Sequence, residues 1–190
     1  MWLLLLPIAY LIGTFPSASL VARANGIDIR TVGSGNPGAS NVARVLGWRR
    51  GVWVFVLDAA KGALAAGLGL IADGRPAGYW LGAVAVIGHV FPIRQRFRGG
   101  KGVATGGGIF ATMAPIVFVA IVALWFLLSK VTKKASVASI VTVALLPLGV
   151  GLRQQEAWEV FATAGICALV MVRHLGNIKR LASRKEHVLT

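Results

Sequence analysis

Long apolar runs alternate with short polar segments along the whole chain, and the polar segments carry nearly all of the basic residues. A membrane-spanning helix needs roughly 20 mainly apolar residues, with a range of about 17–25. Some of the runs are shorter than this or rich in glycine, and these predict short spans. The pattern predicts an all-α, polytopic integral membrane bundle with seven transmembrane helices at residues 2–23, 51–72, 77–92, 100–114, 115–128, 135–152 and 157–174.

The distribution of lysine and arginine predicts how these helices are oriented. With the N-terminus outside, 17 of the 20 basic residues lie on the inner side, whereas Arg75 and Arg153 lie outside and Lys61 lies within a span. Lysine and arginine mark the cytoplasmic side of a membrane protein. Merging the runs 100–114 and 115–128 would place two basic clusters on opposite sides. The charges therefore favour seven spans, with the C-terminus in the cytoplasm.

The composition supports a membrane protein and argues against a nucleic-acid-binding one. Of the 190 residues, 56% are hydrophobic and 14% are charged, compared with about 25% charged residues in soluble domains. Basic clusters beside an anionic leaflet explain the net charge of +14, because no soluble scaffold for a nucleic-acid-binding patch is visible. We find no linker or internal repeat, so residues 1–190 are interpreted as one membrane-embedded domain.

The first inner segment has the composition of an anion-binding loop. It reads TVGSGNPGASNVAR over residues 31–44 and is called the first glycine segment below. Glycines permit positive φ, and successive backbone N–H groups in such turns form anion-binding nests. A helix that begins near Ser40 adds its positive dipole, and Arg44 offers a guanidinium fork for phosphate. An ordinary flexible loop with a helix cap is the alternative that this segment alone leaves open.

The second inner segment places a lysine among glycines. It reads GHVFPIRQRFRGGKGVAT over residues 88–105, the second glycine segment, and Lys101 lies between Gly100 and Gly102. The Walker spacing is absent, so the segment does not predict ATP binding. Taken alone, His89 is best explained as a buried structural histidine, and a bond to its own helix is an alternative for the Thr105 hydroxyl.

The C-terminal basic segment, RHLGNIKRLASRKEH at residues 173–187, follows the last span. His174 and Asn177 are three residues apart, so a helix would place them on one face. The other basic residues are explained by an amphipathic tail on anionic lipid.

Two ionisable residues lie inside the second predicted span. Asp58 and Lys61 are spaced i and i+3, which allows an ion pair within one helix. Ionisable residues in a span are costly and indicate a functional site. The alternative is a self-neutralising pair that only steadies helix packing.

Four motifs in this order resemble those of the bacterial acyl-phosphate:glycerol-3-phosphate acyltransferases. They are GSGNPGASN at 33–41, DAAKG at 58–62, GHVFP with FRGGKGVAT at 88–105, and RHLGNIKRL with Glu186 in the tail. The chain differs at Ser40, where the family usually has threonine, and at Arg184, where it usually has glycine. The resemblance covers essentially the whole chain.

The resemblance implies a seven-span enzyme of the bacterial inner membrane whose active site faces the cytoplasm. Such an enzyme transfers a fatty acyl group from acyl phosphate to the 1-hydroxyl of glycerol 3-phosphate, giving lysophosphatidic acid and phosphate in the first step of phospholipid synthesis. Neither a cofactor nor a metal ion is expected. The expected partners are the two substrates, membrane lipids and, upstream, a soluble enzyme that makes acyl phosphate; nucleic acid is not among them.

The segments and the resemblance together give three groups of candidate residues. The candidate catalytic residues are Ser34, Arg44, Lys101, His174 and Asn177. The candidate phosphate-binding residues are Gly33, Ser34, Gly35, Asn36, Ser40, Asn41, Arg44, Lys61, Gly99, Gly100, Lys101 and Gly102. The candidate supporting residues are Asp58, His89, Thr105 and Glu186.

Two other functions fit parts of the pattern. A transporter for phosphate or an organic phosphate would also use charge within the membrane and glycine-broken helices, but the outer loops here are poor in ligand-binding groups. A catalytically inert relative that binds phospholipid precursors is the other alternative. The proton acceptor in the acyl transfer is left open among His89, His174, Asp58 and the acyl phosphate itself, which we favour because no side chain is clearly placed as a base.

Overall fold

The computed structural model describes residues 1–153 and 156–189, and all the regular structure within these ranges is helical. The chain divides into two compact units, Met1–Met113 and Ala114–Thr190. The helices of the first unit are α1 (Leu6–Gly13), α2 (Ser17–Arg23), α3 (Ala39–Leu46), α4 (Trp48–Val90) and α5 (Val103–Met113), with 3-10 turns at Trp2–Leu5 and Ile93–Gln95.

Helix α4 is two antiparallel arms rather than one straight rod. Asp73 and Gly74 have non-helical dihedral angles, with a φ of 74° at Gly74, and they lie in the polar segment between the predicted runs 51–72 and 77–92. Pro76 begins the second arm, where its missing N–H is harmless. A Cβ on Gly69 would overlap the Ala77 carbonyl, so the two arms approach closely at the turn.

Small residues allow the helices of the first unit to touch backbone to backbone. A Cβ on Gly62 of α4 would overlap the Thr105 carbonyl of α5, and a Cβ on Gly108 of α5 would overlap the Ala59 carbonyl. Close approach through small residues is the usual way in which membrane helices associate. The glycines at both ends of this contact therefore fix α5 against the first arm of α4.

The second unit consists of α6 (Pro115–Thr132), α7 (Ala135–Arg153), α8 (Ala157–Val172) and α9 (Leu175–Ala182). Trp125 of α6 donates its indole N–H to the hydroxyl of Ser139 in α7 at 3.0 Å. Beyond α9 the tail returns to the turn between α6 and α7, where the Leu189 N–H donates to the Lys133 carbonyl at 2.7 Å.

The membrane class is supported by the length and the composition of the helices. Helix α6 has a mean hydropathy of 2.1 and is only 11% buried, as expected for a lipid-facing surface. Helix α5 has 11 residues and is therefore about 17 Å long, against roughly 30 Å of hydrocarbon. Four stretches of the described residues are long and apolar enough to span a membrane: Trp2–Arg23, Trp48–Gln95, Pro115–Thr132 and Ala135–Arg153. The count becomes five if the α8–α9 pair, which is bent by 56°, is taken as one span.

Candidate active site

The first glycine segment is folded around the buried side chain of Asn41. Asn41 Oδ1 accepts the backbone N–H of Ser34 at 2.9 Å. Asn41 Nδ2 donates to the carbonyls of Ile29 and Val32, at 3.2 and 3.1 Å. Both polar atoms of the amide are thus bonded to the loop, and a single side chain holds the loop at three points.

Gly33 and Arg44 complete the packing around this amide. Gly33 has a φ of +60°, and a Cβ at this position would overlap Asn41 Oδ1, so a larger residue is excluded at this close approach. Arg44 Nη1 donates to the same oxygen at 3.2 Å. The guanidinium is therefore held beside the backbone of Ser34.

The Lys101 loop, residues 99–102, folds back onto the end of α4. Gly100 donates its backbone N–H to the His89 carbonyl at 3.1 Å. Gly102 has a φ of 88°, and α5 begins at the next residue. Half-buried Lys101 therefore lies at the N-terminal end of a helix, where the exposed N–H groups and the helix dipole favour an anion.

Arg30 joins the two glycine segments. Its guanidinium donates to the side-chain oxygen of Gln95 and to the Arg98 carbonyl, the latter at 3.4 Å. Arg30 immediately precedes the first segment, and Arg98 immediately precedes the Lys101 loop. The two loops predicted to bind phosphate are therefore neighbours within the first unit.

A buried ionic cluster lies next to the Lys101 loop. Lys61 Nζ lies 2.7 Å from Asp58 Oδ1, 3.1 Å from His89 Nδ1 and 2.9 Å from the Phe15 carbonyl. An ammonium group has three N–H donors, and these three contacts account for them. In this arrangement the three donors are directed at Asp58, His89 and the Phe15 carbonyl, and the contact of Lys61 with phosphate stays a prediction.

The second unit holds the predicted side chains of the C-terminal basic segment, at the start of α9, within α9 and in the tail. His174 is buried, and its Nδ1 lies 2.8 Å from the Val170 carbonyl; Nδ1 thus carries the proton in the neutral ring, and Nε2 is the acceptor nitrogen. Asn177 donates its amide N–H to Glu186 Oε1 at 2.7 Å, and Arg180 Nε donates to Oε2 at 3.0 Å.

Comparison with known proteins identifies the family. The sequence profile described as "Glycerol-3-phosphate acyltransferase" matches residues 3–184. The chain belongs to the glycerol-3-phosphate acyltransferase family. A family member from Bacillus velezensis is 40% identical over 96% of this chain and 95% of its own length, and one from Anaeromyxobacter dehalogenans is 42% identical over 96% and 94%. The resemblance seen in the motifs is thus confirmed.

Solved structures of a family member have the same fold. The crystal structure of PlsY, an integral membrane glycerol 3-phosphate acyltransferase, in its glycerol 3-phosphate form matches with a TM-score of 0.93 and 34% identity, covering 100% of this chain and 96% of that one. The lysophosphatidic acid form matches with a TM-score of 0.91 over 98% and 94%. The all-helical integral membrane fold of the acyltransferase is confirmed by these matches.

The other predicted residues of this acyltransferase lie on the same two segments. Gly35, Asn36 and Ser40 are half-buried on the first glycine segment. Thr105 is buried in α5, and its hydroxyl has no hydrogen-bond partner within residues 1–153 and 156–189. In the same ranges, no three His, Cys, Asp or Glu side chains are grouped so that they would hold a metal ion.

The sequence interpretation missed two contacts that organise the candidate site. One is the bridge from Arg30 to Gln95, for which the sequence has no signal because 64 residues separate the two in the chain. The other is the bond from Lys61 to the carbonyl of Phe15. A signal for the second did exist, because Pro16 within an apolar run indicates a broken helix whose carbonyls need other partners.

Proposed function

We propose that this chain transfers a fatty acyl group from acyl phosphate to the 1-hydroxyl of sn-glycerol 3-phosphate, giving 1-acylglycerol 3-phosphate (lysophosphatidic acid) and inorganic phosphate. The supporting observation is the full-length match to glycerol-3-phosphate acyltransferases, one of which is described in substrate and product forms. The two adjacent glycine segments suit this reaction, because both substrates carry a phosphate.

This reaction requires the protein to position the two substrates more than it requires a reactive side chain. Acyl phosphate is a mixed anhydride, so its acyl group arrives activated. The glycerol hydroxyl oxygen attacks the carbonyl carbon, an ester bond forms, and the bond from that carbon to the phosphate oxygen breaks. The departing phosphate takes the hydroxyl proton. The protein then has to orient two anions and stabilise the charge that develops on the carbonyl oxygen.

In this proposal each glycine segment binds one phosphate. Ser34 and Arg44 bind the first, and Lys101 with its loop at the start of α5 binds the second. Asn41 positions the first segment rather than touching substrate, since its amide is bonded to the loop. For His174 and Asn177, which belong to the second unit, we keep the role that the family resemblance predicts, which is to orient the glycerol hydroxyls.

Replacing Asn41 with aspartate tests this positioning role. The change keeps the size of the side chain but turns the Nδ2 donor into a carboxylate oxygen facing the carbonyls of Ile29 and Val32. The loss of these buried bonds is expected to destabilise the protein by about 2 kcal/mol or more, and to raise the KM for one substrate. Thermal unfolding in detergent and steady-state kinetics measure the two effects.

The matched control is Asn25→Asp. Asn25 is exposed in the turn that follows α2, and its amide donates to the Val21 carbonyl of that helix at 2.8 Å. This variant is expected to lose about 0.5 kcal/mol or less and to keep both KM values. Equal behaviour of the two variants would contradict the role of Asn41.

The membrane arrangement is part of the proposal. The chain acts as one acyltransferase domain, residues 1–190, with seven spans, its N-terminus outside and its C-terminus in the cytoplasm of a bacterium. The asymmetry of lysine and arginine supports this orientation. The active site then lies on the cytoplasmic side of the inner membrane. A soluble enzyme in the cytoplasm supplies the acyl phosphate.

The direct test is an assay with purified protein in detergent. Acyl phosphate and glycerol 3-phosphate are supplied together, and released phosphate and lysophosphatidic acid are both measured. The proposal expects equal amounts of the two products, and neither when glycerol 3-phosphate is left out. Folded protein that binds the substrates but forms no ester would refute it and would favour transport or simple binding.

A further inference from the structure

The first apolar run, 2–23, is broken into two helices, and the break receives a side chain from another helix. Pro16 has no N–H and ends the helical hydrogen-bond ladder. The Phe15 carbonyl in this break accepts the Ser17 N–H at 3.0 Å and Lys61 Nζ at 2.9 Å. Lys61 thereby attaches the first arm of α4 to the break between α1 and α2.

The same lysine determines how the ring of His89 is protonated. Lys61 Nζ is 3.1 Å from His89 Nδ1, and an ammonium group donates but cannot accept a hydrogen bond. Nδ1 is therefore the acceptor, and Nε2 of the neutral ring carries the proton. Asp58 Oδ1, 3.7 Å from Nδ1 and 2.7 Å from Nζ, neutralises the lysine and keeps its head group at the ring.

The opposite edge of the ring lies against the Lys101 loop. A Cβ on Gly100 would overlap His89 Nε2, so the ring and the glycine backbone are in direct contact. The Gly100 N–H also donates to the His89 carbonyl. Because Gly100 precedes Lys101, a shift of the ring moves the backbone that carries this lysine.

We infer that Asp58, Lys61 and His89 are positioning residues for phosphate binding by the Lys101 loop. Lys61 fixes the orientation and the proton of the His89 ring, and the Nε2 edge of that ring sets the position of Gly100 and so of Lys101. The inference rests on the proposed function, and it assigns Lys61 to the support of a phosphate-binding loop, not to contact with phosphate.

A small cavity beside the cluster shows why this support matters. The cavity is lined by the cluster, by the break between α1 and α2, and by Pro37 and Gly100 from the two glycine segments. Ser17 also lines it, with a buried hydroxyl that has no hydrogen-bond partner within the described residues. Gly100 therefore borders the open space of the cavity, and its contact with the His89 ring limits the movement of its backbone.

The test compares two replacements of His89, each of which keeps a polar group at the position of only one of the two ring nitrogens. His89→Asn retains an acceptor at the position of Nδ1 but loses the edge against Gly100, whereas His89→Gln retains a nitrogen donor at the position of Nε2. Lys101→Arg is measured first, to learn which substrate's KM depends on the loop. His89→Asn is then expected to raise that same KM by about 10- to 100-fold, with kcat and the other KM within about threefold of wild type.

His89→Gln is expected to stay closer to wild type than His89→Asn, because it keeps the contact with Gly100. Lys61→Met is expected to raise the KM of the same substrate that Lys101→Arg affects. If the unpaired Asp58 prevents that variant from folding, the double variant Asp58→Asn/Lys61→Met removes both charges and has the same expected effect. Thr142→Val, which removes a buried hydroxyl bonded within α7, is the control for a general loss of stability and is expected to change neither KM.

Three results would overturn the inference. One is that the His89 variants change the KM of the other substrate, or change neither KM. A second is a rise in KM for Lys61→Met alone while both His89 variants behave like wild type, which would make Lys61 a substrate ligand. The third is a pattern shared with Thr142→Val. Failure of the proposed function itself is distinct, because wild-type protein would then form no lysophosphatidic acid.

Discussion

Alanine at Ser34 or at Lys101 is expected to lower kcat/KM by about 100- to 1,000-fold without unfolding the protein. A single donor aimed at developing charge in a dry site contributes roughly 2.7–4 kcal/mol to catalysis, and this corresponds to the expected loss. Ser34 lies on the loop that Asn41 holds, and Lys101 lies at the start of α5. Initial rates of phosphate release, with each substrate varied in turn, measure the effect.

The control for Lys101→Ala is Arg94→Ala. This exposed arginine belongs to the same segment, so its removal takes away the same charge without touching the Lys101 loop. It is expected to change kcat/KM by about threefold or less, as expected for a screened surface charge. Near-normal turnover of folded Ser34→Ala or Lys101→Ala protein would remove that residue from the proposed site.

Replacing Gly108 with alanine is expected to prevent the first unit from folding. The added Cβ would overlap the carbonyl of Ala59, and a backbone atom cannot move aside as the end of a flexible side chain can. Since α4 and α5 are in backbone contact here, the helices have to separate, which costs about 3 kcal/mol or more. The expected result is aggregation on size-exclusion chromatography, or a large fall in the unfolding temperature.

Gly67→Ala is the matched control, because it adds the same methyl group to the first arm of α4. Among the residues that the structure describes, no atom beyond the local turn of the same helix lies within 4 Å of a Cβ at Gly67. Alanine favours a helix over glycine by about 1 kcal/mol, so this variant is expected to be as stable as wild type or slightly more so. If Gly108→Ala were equally stable, the close packing of α4 on α5 would not be needed.

The sequence predicted the helices well because apolar runs and glycine-rich breaks are local features. The turn between the arms of α4 lies where Asp73 and Gly74 interrupt the apolar pattern, and α3 begins one residue from the predicted start at Ser40. The grouping of polar side chains was harder to predict, since it depends on how helices pack. Nothing local to Asn41 shows that its amide is bonded to Ile29 and Val32.

The tail illustrates both the value and the limit of resemblance. The family usually has glycine at the position of Arg184, and here Arg184 has a φ of 57°, a left-handed conformation that glycine adopts more readily. The glycine that the family usually has at this position suits the same conformation, although the sequence analysis predicted no left-handed residue here. The resemblance did not reveal that Glu186 bridges Asn177 and Arg180, because such a bridge depends on the return of the tail.

The bond from Lys61 to the Phe15 carbonyl also constrains the order of events during synthesis at the ribosome. Residues 2–23 leave the ribosome before residue 61 does, so the Phe15 break first reaches the bilayer without its lysine. A carbonyl in hydrocarbon is costly without its partners. The N-terminal helix pair therefore reaches its final form only after the following helical hairpin has been inserted beside it.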